Sequence, residues 1–419
     1  MMIALIVEAL LKFAVVVGGL MTAAAYLVLL ERWIAAWVQD RRGPNRVGIP
    51  LTNIKLFGLG QPLADGVKFI FKANVTPEHV DRTLYWLAPA VVMAAALCAF
   101  AVIPFGSVLP DFLPDEWGIK EPIRLSVAPA LDVAVLFVFA VGGAAVFGVM
   151  LGGWASNNKY SLLGALRSSA QLISYELPLG LGILGVVAAA GSLRFSEIIA
   201  QQANSGWWNI AVQPLGFVVF IVAAFAEASR LPFDLSEAEQ ELVGGYHTEY
   251  SGVKLMMLLV GEYLHMITAA FLIVIFFLGG WHFWGLTDGL DSPGGDAVTW
   301  PVALARVAVL MAKVLAVILF FMLTRWSWPR FRYDQLMNLA WKVMLPWGVL
   351  NIVVVAAAIE FAGRWAAALG VSASMATALA GWAALALAVV LTAWADPTTA
   401  DNRPMRTHPA LRGNADETR

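Results

Sequence analysis

Three carboxylates stand where a charge is most expensive. Glu176, Glu227 and Glu262 each fall inside a long apolar run of the chain. A charged side chain within a membrane-spanning run costs roughly 2.5–3.5 kcal/mol on insertion scales, so each asks for a reason. At ~1.5 Å per helical residue, Glu262 lies about 10 Å inside the run end near Leu255 and Glu176 about 7 Å in from Gln171. Carboxylates at similar depth on three helices are placed to converge. Converging carboxylates titrate as a coupled set and share protons. Pro178, two residues after Glu176, frees a backbone carbonyl and loosens that helix. The alternative is three separate carboxylates, each neutralised by a base such as Arg167 or Arg230. As a set, the three favour the coupled reading.

A second acidic feature lies beside them. The segment Pro232–Gly252, PFDLSEAEQELVGGYHTEYSG, carries Asp234, Glu237, Glu239, Glu241 and Glu249. Ser236 and Glu239 have the S-x-x-E spacing of a capping box, which accounts for two of its residues as a helix start. It leaves unexplained why so many acids crowd a loop that the positive-inside rule would keep basic. A file of acids leading from water toward Glu227 and Glu262 explains it, because neighbouring carboxylates relay protons through water. The other charges within apolar runs are plainer. Glu8 and Lys12 are four apart and pair on one helix face. Asp132 and Glu360 lie near run ends, where they snorkel. Arg306 and Lys313 share a face, as structural counter-ions or as part of a proton route.

The elements that must position these residues follow from composition. The chain has 419 residues, 60% hydrophobic and 13% charged, with mean hydropathy +0.75. A soluble domain cannot hide that much apolar surface. Nine runs approach the roughly 20 apolar residues that a spanning helix needs: 3–30, 84–104, 129–152, 171–190, 209–229, 255–280, 302–323, 342–363 and 372–394. They do not alternate and are too long for transmembrane strands, so the expected fold is an all-α polytopic membrane helix bundle. The first run has no basic leader and no small-residue cleavage site, which predicts a retained helix rather than a signal peptide. With Cys98 as the single cysteine, this chain cannot build a disulfide, and no iron–sulfur or zinc cluster is expected on it.

Charge sets the expected orientation. With the N-terminus outside, the loops facing the cytoplasm (31–83, 154–170, 229–254, 324–342 and 395–419) hold 20 of the 27 Lys and Arg residues, and the opposite loops hold 4. That bias places the C-terminus in the cytoplasm. Residues 1–395 form one membrane-embedded domain with large loops at 31–83 and 229–254, and the polar stretch 396–419 reads as a disordered tail. In loop 31–83, Ala64–Lys72 (ADGVKFIFK) interleaves aromatic and basic residues and predicts an amphipathic surface helix.

These segments carry a family resemblance. The stretches ERWIAAWVQDRRGPNRVG (31–48), QPLADGVK (61–68), GALRSSAQLISYELPLG (164–180), AEASRLPFDLSEAEQELVGGYHTEYSG (226–252), GEYLHM (261–266) and PRFRYDQLMNLAWKVMLP (329–346) occur in family order. The chain resembles the H subunit of bacterial NADH:quinone oxidoreductase, respiratory complex I, the counterpart of mitochondrial NADH dehydrogenase subunit 1. The resemblance implies a multi-pass subunit of the bacterial cell membrane without a redox centre of its own. Its partners would be hydrophilic-arm subunits that hold flavin and iron–sulfur clusters, and small membrane subunits leading to antiporter-like pumps; no nucleic acid is involved. Its substrate would be a quinone, and it would bind no flavin, iron–sulfur cluster or metal. Carried over by motif position, the proton path is Glu31, Asp65, Glu176, Glu227, Glu237, Glu239, Glu241, Glu249 and Glu262, supported by Arg32, Arg41, Arg167 and Arg230. The quinone chamber would draw on Arg32, Arg41, Asp65, Phe233 and Glu237. Trp33 stands where the family usually has a basic residue, Ser229 where Asn is common and Gly261 where Ala is common, and the stretch 49–60 is longer than usual. The competing expectations are the related subunit of a membrane-bound hydrogenase or other quinone-linked dehydrogenase, a stand-alone proton or solute transporter, and a purely structural anchor.

Overall fold

The computed structural model describes residues 2–48, 55, 57–110, 123–129, 131–234, 242–284, 286–287 and 299–395. The chain folds as an all-α bundle. Its helices are α1 (Met2–Val38), α2 (Gln61–Phe71), α3 (Arg82–Cys98), α4 (Ala134–Ala155), α5 (Lys159–Ala190), α6 (Phe195–Ser205), α7 (Asn209–Val212), α8 (Pro214–Glu227), α9 (Gly252–Phe277), α10 (Trp300–Ser327), α11 (Tyr333–Asn338), α12 (Leu345–Leu369) and α13 (Ala373–Ala395). Among the described residues the sheet content is one antiparallel pair, β1 (Val108–Leu109) with β2 (Ile123–Arg124). Eight helical stretches there are long and apolar enough to cross a membrane. In hydrocarbon a helix satisfies its own backbone, which is why the apolar runs take this form.

The run expected at 171–190 begins earlier, at Lys159, where the Asn158 side chain caps it by accepting from Tyr160 N, so Glu176 lies deeper along its helix than the distance from Gln171 implied. Three further runs differ from their sequence boundaries for physical reasons. The first helix continues to Val38, past Glu31 and Arg32, because Glu31 is neutralised inside the protein. The run at 209–229 is broken at Gln213, where Pro214 lacks the N–H that would continue α7 and instead opens α8. With 14 residues, α8 is about 21 Å long, short of the ~30 Å hydrocarbon core. The run at 342–363 begins earlier, at Tyr333, and passes through a π-helical turn over Leu339–Met344 before α12. Pro346 follows that turn; the widened turn accommodates the missing donor and the bulk of the ring. The segments 235–241 and 396–419 lie outside the described residues, so the expected helix start at Ser236 and the expected tail are not placed.

The helix α9 runs through the centre of the bundle. Ile275, Phe276 and Phe277 are fully buried near its end, with Phe277 against Phe220 and Phe217. A helix end buried this deeply leaves carbonyls that need donors. Gln202 Nε2 donates to Ile275 O at 2.9 Å and Asn209 Nδ2 to Phe276 O at 2.9 Å. Lys313 Nζ donates to the carbonyls of Leu278, Gly280 and His282 at 2.7, 3.0 and 2.6 Å. The cation also complements the negative end of the helix dipole. Lys313 thus caps the buried end of α9 from α10.

The opposite end of the bundle carries α2, and described parts of three loops expected in the cytoplasm meet there. Ser251 Oγ reaches Val75 O, Lys254 Nζ reaches Thr76 Oγ1 and Asn157 Nδ2 reaches His79 O. On α2 itself, Leu63, Val67, Ile70 and Phe71 are all exposed, so the helix forms as its periodicity predicts and presents an apolar row to its surroundings.

Candidate functional site

The three membrane carboxylates meet. Glu176 on α5, Glu227 at the end of α8 and Glu262 on α9 line one cavity of about 40 Å³, together with His265, Ser168 and Tyr246. Roughly 10–15 Å³ suffices for a water molecule when the lining offers polar partners, so the space is large enough for water between the carboxylates. The helix α4 makes the approach possible through small residues. A Cβ on Gly143 would stand 2.8 Å from Glu176 Oε1, and one on Gly142 would stand 3.5 Å from Glu227 Oε1. Gly143→Ala is therefore expected to fold, because a flexible carboxylate can swing aside, and to lower proton-coupled turnover severalfold by displacing Glu176. Assembly by co-purification and turnover of the purified complex check this together.

The charges differ sharply in how they are held. Among the described residues, Glu176 and Glu227 form no hydrogen bond or ion pair with a protein group. Glu262 accepts from Tyr246 Oη at 3.1 Å and has His247 Nε2 at 3.6 Å. Tyr246 and His247 belong to the 3-10 turn Gly245–His247, which packs closely on α5: a Cβ on Gly164 would lie 2.7 Å from Gly245 Cα. The acidic loop thus re-enters the bundle through a turn that touches Glu262. The bases named as alternative partners are engaged elsewhere. Arg230 lies 3.5 Å from Glu31 and over the ring of Tyr263 at 4.3 Å, and Arg167 lies over Tyr333 at 5.7 Å.

The other expected residues that are described do not line this cavity. Glu31 is 6% exposed; it pairs with Arg325 and Arg230 and accepts from Tyr263 Oη at 2.5 Å. Asp65 pairs with Arg32 at 2.7 Å and accepts from Gln61, which ties α2 to α1. Glu249 accepts from Asn158 Nδ2 at 2.6 Å. Asp234 pairs with Arg330 at 3.1 Å. Arg41 donates to its neighbour Gln39 and is exposed. Phe233 stacks on Phe331 and packs against Tyr175. Glu237, Glu239 and Glu241 lie outside the described residues, as does the side chain of Glu8.

A larger, apolar chamber of about 770 Å³ lies between α1, α9 and α10. On α1 its lining runs from Leu11 to Trp33, about 33 Å of helix. Its end nearest α2 is framed by Trp33 and Leu59; Trp33 Nε1 donates to Pro44 O at 3.0 Å, which fixes the ring. Of the residues expected in a quinone chamber, the described ones (Arg32, Arg41, Asp65 and Phe233) do not line this space, although Arg32 is adjacent to Trp33. The residues that do line it, such as Gly19, Leu20, Ile267, Phe271 and Val314, read in sequence as ordinary membrane-helix positions. Trp33 carried a signal, as a departure from the family pattern. Likewise His265 was visible only as a titratable residue one turn beyond Glu262.

Comparison with known proteins agrees with the resemblance seen in the sequence. Residues 11–356 match the family described as NADH dehydrogenase. The chain is 44% identical over 357 residues to the H 1 subunit of NADH-quinone oxidoreductase from Cytophaga hutchinsonii, covering 84% of this chain and 98% of that protein. It is 46% identical over 343 residues to the H 1 subunit of the Geobacter metallireducens enzyme, covering 82% and 94%. The H subunit from Flavobacterium johnsoniae is 40% identical over 356 residues, covering 85% and 96%. Identity at this level, sustained over nearly the whole of each relative, is neither partial nor accidental, and the chain belongs to the NADH dehydrogenase family, among the H subunits of NADH-quinone oxidoreductase.

Proposed function

We propose that this multi-pass membrane protein forms part of the quinone chamber of a proton-pumping NADH:quinone oxidoreductase and the start of an acidic path that couples quinone reduction to pumping. The observation that carries the reading is the single cavity lined by Glu176, Glu227 and Glu262, two of them without a protein partner among the described residues. A cluster built for structure would be neutralised, as Glu31 is by Arg325 and Arg230. Partner subunits deliver the electrons. Reduction of a quinone takes up two electrons and two protons, which changes the charge near the α2 end of the bundle. The acid file, in which we include Glu237, Glu239, Glu241 and Glu249, passes that change through Tyr246 and Glu262 to the cavity, and from there laterally to the pumping subunits. The α2 end faces the cytoplasm in this reading, as the excess of basic residues in its loops requires. Neutralising the carboxylates singly in the assembled enzyme tests the role: unchanged quinone reduction and unchanged pumping in Glu176→Gln, Glu227→Gln and Glu262→Gln would remove it.

The apolar chamber fits the tail of the same substrate. Its lining is almost wholly aliphatic and aromatic, as an isoprenoid chain requires, and a buried apolar tail contributes about 0.8 kcal/mol per methylene. Gly19 lines the chamber, and a Cβ there meets nothing within 4 Å, so a large side chain enters the space without a backbone clash. Gly19→Phe is expected to raise the KM for a long-tailed quinone about tenfold and to leave a short-tailed analogue unaffected. Steady-state kinetics with both substrates check this, and equal effects on the two would overturn the assignment.

A further inference from the structure

His265 has no place in the path as described, yet its position is distinctive. It lines the carboxylate cavity and also a second cavity of about 20 Å³, which shares Gly142, Glu227 and His265 with the first. Four helices agree on where that second cavity lies. On α9 the lining moves from Glu262 to Thr268 and Leu272, on α5 from Glu176 to Leu179, on α8 from Glu227 back to Phe220, and on α4 from Val146 back to Val138. Each step leads away from the α2 end and into the middle of the bundle. The imidazole therefore stands at the junction of an outer, carboxylate-lined space and a deeper, mostly apolar one. Its ring forms no hydrogen bond with a protein group among the described residues, and it borders both spaces.

We propose that His265 is the inner proton acceptor of the carboxylate cluster, taking a proton from Glu227 through cavity water, holding it at the mouth of the deeper space and returning it to the cluster when the carboxylates recharge. In this step the Glu227 carboxylic acid loses its proton and becomes a carboxylate, while a ring nitrogen gains it and the imidazole becomes imidazolium; the two charges formed are opposite and border the same two cavities. The titratable groups lining the two cavities with His265 are Glu176 from α5, Glu227 from α8, Glu262 from its own helix and Tyr246 from the 3-10 turn; α3 and α4 contribute only apolar residues and glycine. The water-sized spaces on both sides of the ring supply the carriers that a side chain needs for relay over more than a hydrogen-bond length.

The proposal rests on the acid-path reading, and its test separates the two. In the assembled complex in sealed vesicles, His265→Asn keeps a polar side chain and removes the titration. Protons translocated per quinone reduced are expected to fall at least about tenfold, a conservative floor below the roughly 10²–10⁴-fold that a positioned proton-transfer group contributes to a rate, and turnover is expected to lose one limb of its pH profile. Glu227→Gln is measured in parallel. If it abolishes coupling while His265→Asn keeps wild-type pumping and pH profile, the histidine role is overturned and the acid path stands; if both are silent, the histidine role is overturned and Glu227 leaves the route as well. Assembly is read first by co-purification, and His265→Gln replaces the Asn variant if that one does not assemble. Failure of both to assemble would mark His265 as a packing residue and overturn the proposal.

Discussion

Glu227→Gln is expected to lower proton-coupled quinone reduction by about a hundredfold in an enzyme that still assembles, at the lower end of what a positioned proton-transfer group contributes. The effect on function is large because Glu227 lines both cavities, while Glu176 and Glu262 line only the outer one. The effect on the fold is small for a separate reason. Glu227 has no cationic partner among the described residues, so removing its charge orphans nothing, and Gln matches its shape and offers hydrogen bonds to the same water. The measurement is the rate of quinone reduction by the purified complex together with pumping in sealed vesicles. An assembled variant with wild-type values in both would exclude Glu227 from the proton route.

Much of this site was legible in the sequence, and the reasons are specific. Glu176, Glu227 and Glu262 announced themselves because a charge in an apolar run is costly wherever the helices pack. Helical rise alone put two of them at similar depth. Convergence was the open step: the sequence offered Arg167 and Arg230 as alternative partners, and only packing shows them taken up by Tyr333, Tyr263 and Glu31. Glu31 shows the limit from the other side. Its partner Arg325 is 294 residues away, so no local spacing separates this paired acid from an unpaired one. Chain breaks were less legible than runs. Hydropathy is blind to the interruption at Gln213 and to the π-helical turn before Pro346, because both are backbone events inside apolar segments. Apart from Trp33, which departs from the family pattern, the chamber was not legible, since a void between helices is lined by the same residue types as a filled core.

Glu31→Gln should behave in the opposite way, with the stability of the complex falling and proton transfer not the first casualty. Glu31 is buried and holds two guanidinium groups: Arg325 from the end of α10, and Arg230 from just beyond α8. Tyr263 donates to the same carboxylate from α9. One side chain on α1 therefore joins α1, α8, α9 and α10 at the α2 end of the bundle. Replacing it with Gln leaves a buried and a half-buried cation facing each other without the anion between them. Breaking a buried pair by removing one partner costs about 3–5 kcal/mol, because the remaining charge stays desolvated. The same argument predicts partial recovery when one cation is also removed. The double variant Glu31→Gln with Arg325→Gln should have a higher thermal midpoint than Glu31→Gln alone, although every ion pair broken in the single variant is broken in the double as well. Thermal denaturation of the purified complex, followed by the release of this chain, reads both values. A midpoint for Glu31→Gln equal to that of the unaltered enzyme would show that Glu31 does not hold the helices together; it would then return to the acid file, where the family resemblance placed it.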